Sequence, residues 1–170
     1  MHLTMKLAGS EPFGPVGGLV PDSIFAEHER RFPQVTIDII VVRGGSFLLV
    51  RRSSKNSAGR GLWATVGGRL RKNETLEEGA IRILSRETGI KSDEPRFDFV
   101  GVSQYFDKQV HCVSIVFKTG ARSRSVVLDE TSSGFGWFTL ESCPRSLIPH
   151  YRKMLSMRGL DTGPDGWSEE

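Results

Sequence analysis

No apolar run in these 170 residues approaches the roughly 18 that a membrane-crossing helix needs, so no segment reads as a helical span. Cysteine is nearly absent. Cys112 and Cys143 form neither a disulfide framework nor a metal-ligand spacing, and a reducing cytoplasm is the expected setting. The leading MHLTMKLAGS has one lysine and no sustained apolar segment, which does not suit a signal peptide. Internal repeats are missing. A strong charge of either sign is missing too, and a net charge of +3 implies neither a nucleic-acid nor a membrane partner. Acids are absent from one stretch in particular. Between Arg51 and Lys72 stand seven basic residues (Arg51, Arg52, Lys55, Arg60, Arg69, Arg71, Lys72) and no Asp or Glu. Such a run is either a solvated loop or the basic lip of a cleft for an anion.

What is present suits one globular domain with a real core: 38% of the residues are hydrophobic and 25% charged. Residues 1–20, rich in Gly and Pro, are expected to be a flexible leader, residues 21–158 the domain, and 159–170 a flexible tail. Asp22 or Ser23 can cap a short helix through about Arg31, ended by Pro33. Val35–Val42 and Ser46–Arg52 read as a hairpin around Arg43-Gly44-Gly45. A short strand Leu62–Val66 follows, then a helix, then paired strands over Phe97–Phe106 and Gln109–Lys118. A short strand near Arg124–Leu128, a Gly/Ser-rich loop Thr131–Gly136, a strand Gly136–Leu140 and a helix over Leu147–Met157 complete the order.

Residues 68–90, GRLRKNETLEEGAIRILSRETGI, carry the chemistry. Gly67 and Gly68 allow a tight turn and close approach of backbone to a ligand. Thr75 and Glu78 have the form of a capping box, so a helix starts near Leu76, and Gly89 is suited to end it. Glu87 then stands at the end of an apolar stripe formed by Leu76, Ala80, Ile83 and Leu84. A glutamate near a helix C-terminus opposes the helix dipole, which argues against a merely decorative surface role.

The spacing Gly68, Glu74, Arg82, Leu84, Glu87, Gly89, Ile90 resembles the Nudix box, G-x5-E-x7-R-E-U-x-E-E-x-G-U with U apolar. Seven of its nine specified positions match, and Ile83 and Arg86 stand where the family usually has Glu. The resemblance implies an α/β fold, a Nudix-type α/β/α sandwich with a mixed central sheet. Within the family the chain looks most like GDP-mannose mannosyl hydrolases. These also lack the two acids, place an Arg after the glycine pair (Arg69 here), lead into P-x-V-x-x-D (Pro33 to Asp38 here) and close a strand with a basic pair (Arg51-Arg52).

That likeness implies a Mg2+-dependent hydrolase, with Mn2+ a possible substitute, acting on a nucleoside-diphosphate sugar at its glycosyl carbon, and a homodimer built partly by the N-terminal helix. Carried over residue by residue, the Gly67 carbonyl and Glu87 would hold the metal, and Arg52 and Arg69 would neutralise charge on the departing diphosphate. Asp38 would meet the sugar or an arginine, or be a satisfied structural acid. The family's Gln-His pair after Asp-Glu is absent, since Asp129-Glu130 is followed by Thr131-Ser132-Ser133. Glu130 is then the candidate base or extra ligand, and His111 reads as a pocket-wall histidine. Two other readings remain: a Nudix pyrophosphatase cleaving a P–O bond of a nucleoside diphosphate derivative, and a Nudix domain that binds nucleotide without catalysis.

Overall fold

The computed structural model describes residues 21–55, 59–90, 96–106, 110–122 and 125–157. In chain order the elements are α1 (Asp22–Arg31), β1 (Gln34–Arg43), β2 (Ser46–Arg52), β3 (Trp63–Ala64), β4 (Val66–Arg69), α2 (Leu76–Thr88), β5 (Asp98–Phe106), β6 (His111–Gly120), β7 (Ser132–Phe138) and α3 (Pro149–Met154).

The strand order is β3-β2-β1-β6-β5, with β4 also paired to β1 and β7 to β2. The β1–β6 pairing is parallel and the others are antiparallel, so the sheet is mixed. β1 is apolar nearly throughout because both of its faces are covered. Ile37, Ile39 and Val41 pack under α2 with Ala80, Ile83 and Leu84. Ile40 and Val42 pack on the other side with Leu147, Met154 and Leu155 around α3. Helices on both faces of a mixed sheet give the expected α/β/α sandwich. Truncating a fully buried residue such as Ile39 to Ala should cost about 2–5 kcal/mol.

Several local expectations are revised. α1 starts after Pro21 and has no side-chain cap, so neither Asp22 nor Ser23 is its N-cap. The strand expected over Leu62–Val66 is broken into β3 and β4, which pair with β2 and β1 respectively. No strand forms over residues 125–128, where the Val127 amide bonds the Thr88 carbonyl at the end of α2 instead. β7 begins at Ser132, within the stretch expected to be a loop, because pairing with β2 overrides the weak strand preference of Ser and Gly. The last helix is shorter than expected: Pro149, at its start, lacks an amide hydrogen and suits the first turn. The expected leader, the turn at Asp107-Lys108 and the tail lie outside the described residues.

Candidate active site

The site is framed by the loop that joins β4 to α2. The capping box forms: the Glu78 amide donates to Thr75 Oγ1 at 3.2 Å, and the Thr75 amide donates to Glu78 Oε2 at 2.8 Å. Gly89 ends the helix with φ 65°, the left-handed conformation that favours glycine. Arg82 grips Glu74 through Nε to Oε1 at 2.5 Å and Nη2 to Oε2 at 2.8 Å, and Nη2 also donates to the Arg69 carbonyl at 2.9 Å. The Arg71 amide donates to Glu74 at 2.9 Å. Helix, loop and strand are thereby tied into one unit, and Arg82 holds the Glu74 carboxyl below its ordinary range.

The register of β4 on β1 decides where Gly67 points. The Leu70 amide bonds the Val35 carbonyl at 3.1 Å, and pairs alternate from there, which makes Asp38–Gly67 a non-hydrogen-bonded pair. Gly67 therefore turns both its amide and its carbonyl away from β1. The amide donates to Glu87 Oε2 at 3.2 Å, so the carbonyl and Glu87 share one edge of the strand. A side chain here would force the buried Asp38 out of place, because a Cβ on Gly67 would lie 2.3 Å from Asp38 Oδ1.

Glu87 is 7% exposed, and burial pushes its carboxyl up to about 7 against the opposing pull of Arg86 and the Gly67 amide. Arg86 Nη2 donates to Glu87 Oε1 at 2.8 Å, and its Nε lies 3.5 Å from Asp129 Oδ2. Asp38 is buried on the α3 face of β1 and accepts from Ser114 Oγ at 2.6 Å and Thr65 Oγ1 at 3.1 Å. Burial raises it to about 6, while these two donors and nearby Arg52 pull it back.

Arg52 reaches this group through an irregularity. The β2–β7 register shifts between Arg51 and Arg52, and such a bulge re-aims the side chain. The positive charge of Arg52 is felt at Asp38, His150 and Tyr151. His150 stacks on Tyr105 with ring centroids 4.2 Å apart and 27° between planes, and lies tilted against Tyr151 at 3.9 Å. Its Nδ1 is buried without a hydrogen-bond partner, and burial followed by Arg52 depresses the ring to about 4. Burial also pushes the Tyr151 hydroxyl well above its ordinary range. A neutral aromatic wall thus stands beside Asp38 and Arg52.

The structure brings together Asp38, Arg52, Gly67 and Glu87. Arg69 lies on the same strand face as Asp38 and forms an ion pair with Glu29 of α1. Glu130 does not join the group. Its carboxylate is 70% exposed and ion-paired to Lys55, and the neighbouring acid, Asp129, turns inward to Arg86 instead. His111 is half-buried against the Gln104 side chain at 2.8 Å and the Phe106 ring. Sequence reasoning missed Asp129, Ser114, His150 and Tyr151. The last two carry no motif, and nothing local distinguishes Asp129 from Glu130 beside it.

The donors fit a protein-held metal cluster poorly. Among the described residues no group of three or more His, Cys, Asp or Glu side chains comes together as a metal site. Glu87 already accepts one N–H on each oxygen. Asp129 Oδ1 accepts from the Thr131 amide at 2.9 Å and hydroxyl at 2.5 Å, and its other oxygen faces Arg86.

The NUDIX domain model matches residues 32–157. Over 118 residues the chain is 28% identical to the ADP-ribose pyrophosphatase of Methanocaldococcus jannaschii, covering 69% of each chain. Over 112 residues it is 29% identical to the nucleoside triphosphatase NudI of an Enterobacter species, covering 61% of this chain and 79% of that one. A crystal structure of a MutT protein from Methanosarcina mazei superposes with a TM-score of 0.66 at 28% identity, covering 72% of this chain and 91% of that one. Neither sequence relative is named for a mannosyl hydrolase, so the nearer likeness suggested by Arg69 and the P-x-V-x-x-D segment gains no support from them. The turn and helix from Gly67 to Gly89, the sandwich around them and the match across most of the domain agree, and the chain belongs to the Nudix hydrolase family.

Proposed function

We propose that this protein hydrolyses a nucleoside diphosphate derivative at a phosphorus–oxygen bond of its phosphate chain, with ADP-ribose or a nucleoside triphosphate as the substrate class. The observation that carries this reading is the buried Glu87 carboxylate lodged against the Gly67 backbone, with Arg86 beside it. The names of the Methanocaldococcus and Enterobacter relatives support the substrate class. For ADP-ribose, the oxygen of water bonds to one phosphorus as the bridging P–O bond breaks, giving AMP and ribose 5-phosphate.

Arg52, Arg69 and Arg86 are the groups to neutralise the diphosphate, since guanidinium forks match phosphate oxygens in pairs. Glu87, held near 7, is partly ionised at neutral pH and suited to accept the proton that water gives up. Asp38, held by Ser114 and Thr65, lies near enough to Arg52 to feel its charge. Nudix hydrolases in general use divalent cations such as Mg2+. In this chain the charge beside Glu87 is supplied at least in part by Arg86.

A second reading, attack of water on the sugar carbon of a GDP-mannose-type substrate, is favoured by one observation: Ile83 and Arg86 replace two acids of the box. Hydrolysis of ADP-ribose, nucleoside triphosphates and GDP-mannose in 18O-water separates the two. The expected result is turnover of one of the first two with label on a phosphate product. Label on released mannose would move the assignment to the second reading.

We also propose a homodimer. Ile24, Phe32 and Val35 are 60%, 57% and 46% exposed at the α1 end of the molecule, an apolar patch that a second copy would cover. Sedimentation at tens of micromolar should give a dimer, and a clean monomer would count against it.

A further inference from the structure

Arg86 is the departure from the box that reverses a charge, and its guanidinium turns into the site. Nη2 donates to Glu87 Oε1 at 2.8 Å, Nε lies 3.5 Å from Asp129 Oδ2, and Nη2 lies 3.8 Å from where a Cβ on Gly68 would stand. One guanidinium therefore spans the two carboxylates and lies over the second glycine of the pair. The remaining oxygens of those carboxylates are taken: Glu87 Oε2 by the Gly67 amide, Asp129 Oδ1 by the Thr131 amide and hydroxyl.

We propose that Arg86 takes the place of a divalent cation held by the protein, so that the site receives the diphosphate of its ligand on a side-chain charge rather than on a metal bound by Glu87 and Asp129. This rests on reading the Gly67–Glu87 edge as a diphosphate site. Mg2+ requires an octahedral oxygen shell at about 2.0–2.1 Å and gives up its water reluctantly. To bind between these carboxylates it would have to displace a cation that is tethered beside Glu87 on α2 and is already ion-paired with both. Two carboxylates alone would present a charge of at most −2 to attract a divalent ion, and the guanidinium cancels one unit of it. A guanidinium has five N–H donors in a fixed fork. With Nη2 donating to Glu87 and Nε at ion-pair distance from Asp129, the two hydrogens of Nη1 are not engaged by either carboxylate and can serve phosphate oxygens. The Arg86 side chain is 47% exposed, which gives a ligand access to it.

The test uses the full chain at neutral pH. Free Mn2+ is counted by electron paramagnetic resonance, and ADP binding is measured by calorimetry in Mg2+ and in EDTA. The wild-type chain should hold no stoichiometric Mn2+ and bind ADP equally in both media. Arg86→Glu should gain one Mn2+ per chain and lose ADP affinity in EDTA by at least about tenfold. If Arg86→Glu does not fold, Arg86→Gln replaces it, because removing the guanidinium alone frees both carboxylates for Mn2+. A wild-type chain that binds one Mn2+, or that loses ADP when EDTA is added, overturns the proposal. Mn2+ behaving as expected in both proteins, with ADP bound in neither medium, supports Arg86 as the site's cation and overturns the nucleotide reading instead.

Discussion

Two glutamate–arginine pairs flank α2, Glu74 of the entering loop with Arg82 and Glu87 of the last turn with Arg86, and they behave differently. At the start of the helix, Glu74 and Arg82 are 10% and 20% exposed and meet through two hydrogen bonds, with a backbone amide added. That carboxyl is held low and works as a strut between loop and helix. At the end of the helix, Glu87 receives one bond from an arginine that is half in solvent, and burial outweighs it. That carboxyl stays close to its proton. A fork-on-fork pair makes an acid inert, whereas a buried acid with a single charged donor remains available for chemistry.

The largest expected effect lies at the second end. Glu87→Gln preserves shape and should change stability by less than about 1 kcal/mol, yet lower turnover of ADP-ribose by roughly 10²–10⁴-fold if Glu87 is the proton acceptor. Turnover and urea unfolding measured on the same preparation check both halves. At the first end the expectation reverses. Arg82→Ala leaves the half-buried Glu74 with only the Arg71 amide and should cost about 1–3 kcal/mol of stability, read from the urea midpoint.

How much of this was legible in the sequence follows the same division. The start and stop of α2 could be read locally, because a capping box and a terminal glycine act within a few residues, and Glu74 and Arg82 belong to a fixed spacing. Arg52 could be named but not aimed, since its direction depends on a bulge in the pairing of β2 with β7. Asp129 and Glu130 are adjacent and chemically alike, and only the fold turns one inward and leaves the other with Lys55. The first residues of β7, Ser132 to Phe135, were hidden by their Ser and Gly content, though a strand was legible from Gly136 onward, and His150 reaches Tyr105 across 45 residues of chain with no pattern to announce it.

A smaller effect concerns the aromatic wall beside Arg52. His150 titrates at about 4 in the fold against 6.5 unperturbed, so between those values the unfolded chain binds more protons and stability falls as pH falls. His150→Phe keeps the stacking and removes that slope. The wild-type chain should lose roughly 2 kcal/mol more than the variant between pH 6.5 and 4, after allowance for partial exposure of the ring. Asp38 and Glu87 work in the opposite sense and are common to both proteins, so the difference between the two urea curves isolates His150. Smallest of all, Thr75→Ala removes one capping bond and should lower stability by about 1 kcal/mol with ADP affinity unchanged.

The division of α2 into a structural end and a chemical end is tested most directly by the ADP affinity of Glu87→Gln and Arg82→Lys, measured by calorimetry at a temperature where both are folded. Glu87→Gln, which unsettles Arg86, should bind ADP at least about tenfold more weakly, and Arg82→Lys, less stable for loss of its fork, should match wild type within about twofold. Weakened binding in Arg82→Lys with full affinity in Glu87→Gln would contradict it.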